Sequence, residues 1–180
     1  FKEVFREEIS KQDDYVSDCT IDTDLEILLP DDYVENVTER LSLYSRLDHC
    51  ETEEALEELH KELEDRFGPV PKVAEALFTT VRTRKLAVEL GFEKLVLKKG
   101  LLRCFFVSNP ESPYFSSKTF EGILSFIQTR TNKARLQQHG RLGILVVKDV
   151  NTMAGIFHFL TEMNRHIQSL VPGLQETSVK

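Results

Sequence analysis

Apolar residues recur at steps of three and four through the first half of the chain, then in short continuous or alternating runs separated by helical spacing. That change of period divides a helical part from a part that also holds strands. Leu56, Leu59, Leu63 and Phe67 make one stripe of an amphipathic helix. At about 100° per residue, Glu54, Glu58, Glu62 and Asp65 fall opposite them as a line of carboxylates. Thr52 is placed to cap this helix, with Glu53 and Glu54 in the first turn where the dipole favours negative charge. Gly68 suits the left-handed conformation that closes a helix, Pro69 cannot continue one, and Pro71 suits the first turn of the next.

Around this helix the pattern predicts the following elements. Phe1, Val4, Phe5 and Ile9 are spaced for a helical turn or two in an N-terminal arm. Ile21, Leu25, Ile27 and Leu29 mark an extended segment, the first strand, stopped by Pro30. Asp32 and Glu35 have capping-box spacing ahead of a helix carrying Val34, Val37, Leu41, Tyr44 and Leu47 to about Asp48. From Pro71, Val73, Ala74, Leu77, Val81, Leu86 and Val88 carry a third helix to Gly91. Leu95 to Leu97 and Leu101 to Val107 form a hairpin around Lys99-Gly100, and Asn109 to Pro113 is a loop. Ser116 or Ser117 caps a helix that turns Phe120, Ile123, Leu124 and Ile127 inward. A second hairpin, Lys133 to Gln138 and Arg141 to Val147, turns at His139-Gly140, with Leu142 to Val147 apolar enough to be central. A last helix starting near Asp149 or Asn151 carries Met153, Ile156, Leu160, Met163 and Ile167. The expected class is α+β: an N-terminal helical group followed by a small mixed or antiparallel sheet with packed helices. Residues 1–18 read as a connecting arm, 19–170 as the domain and 171–180 as a frayed tail.

Composition narrows the partners. The 180 residues are 41% hydrophobic and 29% charged, ordinary for one globular domain, and no apolar run approaches a membrane span. The net charge of -7 works against broad contact with nucleic acid or anionic lipid and favours a protein partner. Cys19, Cys50 and Cys104 are an odd number without paired spacing, so reduced thiols and a cytoplasmic location are expected rather than a disulfide framework or zinc ribbon. An opening Phe-Lys-Glu-Val-Phe without a methionine suggests a segment of something longer, and a monomer is expected for the segment alone.

No catalytic pattern competes. The 8 glycines are scattered as helix stops and turns, so no phosphate-cradling loop is visible. His49 and Cys50 are adjacent and point different ways on a helix, while His158 and His166 read as a helix rim or core edge. There is no G-x-S-x-G, and Cys104 within an apolar run reads as a core residue. Arg82, Arg84 and Lys85 read as charge complementarity in the C-terminal half of a helix. The acidic stripe reads either as a solvated face or as a protein-binding one. Its like charges at i,i+4 disfavour the helix by about 0.2–0.5 kcal/mol per pair, against two compensating pairs, Glu57 with Lys61 and Glu62 with Arg66.

The string Leu59-His-Lys-Glu-Leu-Glu-Asp-Arg-Phe-Gly-Pro-Val-Pro71 resembles the E-L-x-D-R-F-G-x-x-P signature of the C-terminal domain of bacterial transcription-repair coupling factors. Leu28-Leu-Pro-Asp-Asp-Tyr-Val34 and Arg40-Leu-Ser-Leu-Tyr44 resemble the family's L-P-x-x-Y-I and R-L-x-x-Y segments, and Leu90-Gly-Phe92 stands where the family reads L-G-I. The likeness is specific from about Asp24 to Leu97; beyond that only the order of elements matches.

The resemblance implies a parent that is an ATP-driven DNA translocase, which removes stalled RNA polymerase and recruits UvrA through a UvrB-like module. It implies that this domain is non-catalytic and autoinhibitory, docking on the UvrB-like module of the same polypeptide and covering its UvrA-binding surface. Residues 1–18 would then link it to the motor. The implied contacts are Glu62 and Asp65, with Glu58 beside them, presented by a helix and elbow supported by Leu59, Leu63, Arg66, Phe67, Gly68, Pro69 and Pro71. No cofactor or metal is expected in the domain; ATP and Mg belong to the parent's motor, and DNA is met through the parent. The alternatives are a purely structural cap on the motor or a nucleic-acid-binding module.

Overall fold

Successive residues from Phe92 to Phe106 alternate faces except at a bulge between Phe92 and Lys94 and at one tight turn, and around that hairpin the rest of the sheet is built. In the computed structural model, which describes residues 15–170, β2 (Phe92–Lys98) and β3 (Leu101–Phe106) pair antiparallel through Lys99-Gly100. Both turn residues have positive φ, 52° and 74°, the mirror-image turn whose twist matches the strands it joins. β1 (Thr20–Thr23) lies parallel to β2 at one edge. β4 (Ala134–His139) and β5 (Leu142–Val147) form the second hairpin, and the order β1-β2-β3-β5-β4 places β5 inside the sheet, as its apolar run predicts.

Five helices complete the described residues: α1 (Val37–Asp48), α2 (Glu53–Phe67), α3 (Lys72–Leu90), α4 (Lys118–Gln128) and α5 (Met153–Ser169). The fold is α+β, with helices ahead of and between the strands of a small mixed sheet. α3 ends at Gly91, whose left-handed backbone (φ 88°, ψ 26°) and closeness to Tyr114 both demand glycine, since a Cβ there would lie 2.1 Å from the Tyr114 ring. The N-terminal arm through Ile9 and the tail after Leu170 lie outside the described residues. Tyr15 and Val16 pack on the sheet side, Tyr15 edge-on to Tyr114 at 5.6 Å.

Several sequence expectations shift. The strand over Ile21 to Leu29 is only Thr20–Thr23, because the segment then crosses between two cores. Leu25 and Ile27 lean on the sheet core, Leu29 is buried in the helical one, and the Leu28 N–H bonds Val73 O on α3. Asn36 caps α1 rather than Asp32; residues 31–34 are occupied by a turn on Pro30 O, and the Asn36 side chain accepts from Glu39 N at 2.9 Å. Leu43 and Leu47 are the buried pair of α1, whereas Val37 and Leu41 are 58% and 63% exposed. The side of α1 carrying Arg40, Leu43 and Leu47 turns inward, and the Arg40 guanidinium donates to Val34 O at 2.7 Å. Thr152 caps α5, and an unpredicted single turn of 3-10 helix at Pro113–Ser116 buries Tyr114. In α4, Phe126 is buried and Leu124 only half so.

Two hydrophobic clusters follow from these placements. One joins the inner sheet face (Leu95, Leu97, Leu102, Cys104, Leu145, Val147) to α4 and α5. The other joins Leu43 and Leu47 of α1 to Leu56, Leu59 and Leu63 of α2. α3 serves both, giving Ala74, Phe78 and Val81 to the helical cluster and Ala87 and Leu90 to the sheet cluster. α1 and α2 therefore form a lobe that reaches the sheet through α3.

Candidate functional site: the acidic helix

α2 starts as its sequence predicts: Thr52 Oγ1 accepts from Ala55 N at 3.1 Å, and Glu53 and Glu54 fill the first turn. Leu56, Leu59 and Leu63 are buried in the helical cluster, which sets the rotation of the helix and turns the carboxylates away from it. Gly68 closes it with φ 89° and ψ -171°, a positive-φ extended conformation rather than the left-handed helical one, and its N–H bonds Glu64 O at 3.0 Å. That backbone still favours glycine, because a side chain at positive φ is strained even with open space around it.

The residues that fix this end come from the other family-like segments. The Tyr33 hydroxyl lies between two carbonyls, Leu63 O at 3.1 Å and Gly68 O at 2.8 Å, and its ring packs against Phe67 at 5.7 Å. The Arg66 guanidinium covers the same Phe67 ring at 4.8 Å. Tyr44 accepts from the Leu29 N–H at 2.7 Å, and Arg40 pairs with Asp31 at 3.3 Å as well as bonding Val34 O. The two tyrosines and Arg40 thus lace residues 28–34 onto α1 and the end of α2. Pro69 is exposed, and Pro71 stands at the cap of α3. Sequence reasoning missed Tyr33 as a support; its place in the quoted L-P-x-x-Y segment was the available signal, but its target lies thirty or more residues away.

The carboxylates divide into engaged and bare ones. Glu62, 35% exposed, receives both guanidinium nitrogens of Arg46 from α1, at 2.6 and 3.0 Å, and Arg66 Nη1 at 3.3 Å. Arg66 reaches on to Glu39, so α1 and α2 share a chain of alternating charges. The hydrogen bond from Arg46 holds the Glu62 carboxyl below the usual carboxylate range and raises the Arg46 guanidinium further. At the start of the helix Glu53 receives Arg82 Nε and Nη2 at 2.7 to 3.0 Å, and that hydrogen bonding lowers its carboxyl likewise. Arg84 lies 3.5 Å from Asp48, so two of the three cations noted on α3 tie the lobe together. Asp65 and Glu58 are exposed and, among the described residues, without an ion pair or hydrogen bond. The Glu62 to Arg66 pair forms; no Glu57 to Lys61 pair does among the described residues.

No group of three or more His, Cys, Asp or Glu among the described residues is placed to hold a metal ion. His49 Nδ1 lies 2.7 Å from Ser45 O, and Cys50 Sγ donates to Arg46 O. His158 is on the rim of α5 beside Glu162, and His166 lies 3.0 Å from Ser125 Oγ at the core edge. Burial pushes the Cys19 thiol up to about 12 and raises Cys104 as well, the opposite of an activated nucleophile. No described helix is long and apolar enough to cross a membrane. What the surface offers is paired and unpaired carboxylates along one helix.

Comparison with known proteins agrees on the region. The TRCF domain family model matches residues 23–116, which holds the acidic helix, its elbow and the two tyrosine segments. Over 68 residues, 38% of this chain, it is 47% identical to a transcription-repair-coupling factor of Escherichia coli. Over 177 residues, 95% of this chain, it is 25% identical to that of Rickettsia typhi. These stretches are 6% and 15% of the relatives' lengths, so the chain spans a small part of each. A crystal structure of the C-terminal domain of a transcription-repair coupling factor matches the fold with a TM-score of 0.66 at 19% identity, covering 86% of this chain and 96% of that one.

Proposed function

The chain belongs to the TRCF domain family, the C-terminal domain of bacterial transcription-repair coupling factors, and from that premise we propose that it is a non-catalytic autoinhibitory module. Its acidic helix docks on basic residues of the UvrB-like module of the same polypeptide, masks the surface to which UvrA binds, and restrains the translocase until RNA polymerase is engaged. The observation that carries this reading is the contrast one turn apart on α2: Asp65 bare, and Glu62 already oriented by Arg46.

The two carboxylates have different parts in the contact. Arg46 uses one acceptor site on each Glu62 oxygen and Arg66 a second on Oε2, and a carboxylate has about four, so an incoming arginine can add one hydrogen bond at Oε1 without displacing them. Holding the side chain in one geometry before contact reduces the entropy lost on docking. Asp65 has no such partner and supplies the uncompensated charge. Exposed ion pairs contribute about 0–1 kcal/mol each, more once desolvated. A latch made of a few of them is weak enough for a competing partner to open. Because the domain and the module share a polypeptide, linkage sustains it at high effective concentration.

Glu62→Arg together with Asp65→Arg should leave the chain folded, and the full-length protein carrying both should bind UvrA without polymerase. A doubly reversed protein as closed to UvrA as the wild type would overturn the latch. Association of this chain with a separate UvrB-like module should weaken steeply with salt.

A further inference from the structure

The five-stranded sheet has helices packed on one face. On the other, alternation and register bring together residues that lie up to 54 positions apart: Lys94, Lys98, Arg103, Lys133, Arg135 and Lys148. Arg103 and Arg135 both pair across Val146, one on each side of β5. Lys94 stands opposite Phe105, which in turn stands opposite Ile144. Lys148 N–H bonds Lys133 O at 2.9 Å, extending the ladder by one pair, and the two-residue period sets both lysines on the side of Arg135 and Val146.

This face is basic and uncovered by any described helix. Val96, Ile144 and Val146 are buried yet belong to neither hydrophobic cluster, as expected if the long cationic side chains beside them provide the cover. Two carboxylates stand on the strand positions of this face: Asp22, which pairs with Lys98 at 3.2 Å, and Glu93, which the bulge in β2 sets beside Lys94 opposite Phe105 and which accepts from Ser108 Oγ at 3.3 Å. Lys94 sits over the Phe105 ring at 5.7 Å. Among the described residues Arg103, Lys133, Arg135 and Lys148 have no ion-pair partner. The charge is also segregated along the chain: residues 19–90 hold 18 acidic and 8 basic side chains, residues 91–170 hold 5 and 11.

We infer that the open face of the sheet binds the phosphate backbone of duplex DNA without reading its sequence. The cations span three strand spacings, about 14 Å, and about 13 Å along β2, a footprint comparable with one groove of B-DNA, whose major groove is about 12 Å wide. The apolar residues lie beneath the cations, and the one Phe, Tyr or Trp ring on the described strand positions of this face, Phe105, is half-buried with Lys94 over it. The face therefore offers phosphate contacts and no stacking platform, which favours a duplex over a single strand. The acidic lobe reaches the sheet through α3, so its repulsion of DNA is screened within a Debye length, about 8–10 Å, and turns the sheet toward the duplex. The inference stands on the sheet face and is independent of the latch.

Its test is fluorescence anisotropy of a labelled short duplex, the matching single strand, and labelled polyglutamate, each titrated with the 180-residue chain. The duplex should bind in the non-specific range of about 10^-6 to 10^-4 M at low salt and weaken linearly in log salt. Arg103→Gln with Arg135→Gln should weaken it at least tenfold and reduce the salt slope by about 2. Arg103→Glu with Arg135→Glu should abolish it, with an unchanged circular dichroism spectrum showing that the fold persists. Asp65→Asn should leave duplex affinity within about twofold, since a single exposed charge far from the face is screened. Failure to bind the duplex at low salt, binding insensitive to the glutamine pair, preference for the single strand, or retention of polyglutamate alone would each overturn the inference.

Discussion

The acidic helix and the basic sheet face are both charged surfaces held by a well-packed core, yet they are organised in opposite ways. On α2 the charges nearest α1 and α3 are neutralised within the lobe: Glu62 by Arg46 and Arg66, Glu53 by Arg82. What remains for a partner on α2, among the described residues, is Glu54, Glu57, Glu58 and Asp65, a short run of bare carboxylates beside the paired ones. On the sheet the cations are set apart by aliphatic neighbours, and five of the six lack an ion-pair partner among the described residues, Lys94 lying over the Phe105 ring. A surface threaded with counter-charges suits a contact that forms in one orientation and is released by a competitor. A surface of unopposed like charges suits a diffuse polyanion, where position along the ligand matters little.

The comparison breaks most severely if the two surfaces do not belong to one folding unit. α3 contributes to both clusters, so loss of the helical core should reach the sheet. Leu63 is fully buried beneath the acidic face, and Leu63→Ala should cost about 2–5 kcal/mol in urea unfolding, monitored by circular dichroism. Hydrogen exchange should then accelerate in β5 as well as in α2. Acceleration confined to α1 and α2 would show that the lobe opens alone and that the two surfaces are energetically separate.

A smaller change sharpens the role of the elbow. Tyr33→Phe keeps the ring against Phe67 and removes the hydroxyl from Leu63 O and Gly68 O. The expected loss is about 0.5–1.5 kcal/mol, with faster exchange at the end of α2 and unchanged duplex binding by the sheet. An equal effect on both surfaces would mean that Tyr33 supports the whole domain rather than the presentation of Asp65.

These two regions also differ in how far the chain discloses them. α2 was legible because everything that defines it is local: the Leu56, Leu59 and Leu63 stripe, the Thr52 cap and the Gly68-Pro69 stop lie within twenty residues. The first hairpin is legible from its turn residues, the second from Gly140, although its turn falls one residue later than expected, at Gly140-Arg141 with His139 still paired to Leu142, and the inner position of β5 from its apolar run. What escaped depended on distant partners. The sequence pairs Glu62 with Arg66 alone, because nothing local places Arg46 of α1 against it. Val37 and Leu41 fit a helical stripe as well as Leu43 and Leu47 do, and tertiary packing chose the latter. The segment from Leu25 to Leu29 has strand-like alternation, but its side chains serve two different cores. The basic face was invisible for the strongest form of this reason: its residues share no period in sequence and meet only through cross-strand register.

The smallest expected effect concerns the internal counter-charges. Glu62 and Glu53 are depressed in the folded chain, chiefly by hydrogen bonds from Arg46 and Arg82. A carboxyl depressed on folding contributes stability above its unfolded value, about 4.3 for glutamate, and that contribution disappears as pH falls through the folded value. Both side chains are at least a third exposed, so solvent screens the effect and the acid limb of the stability profile should be shallow. Glu62→Gln with Glu53→Gln should flatten that limb while leaving the plateau near neutral pH lowered only slightly. If the profile of the double variant superimposed on that of the wild type, the ion pairs within the lobe would contribute nothing measurable to the fold. Their remaining role would be to orient Glu62 for a partner, and the contrast between the two surfaces would then be one of presentation alone.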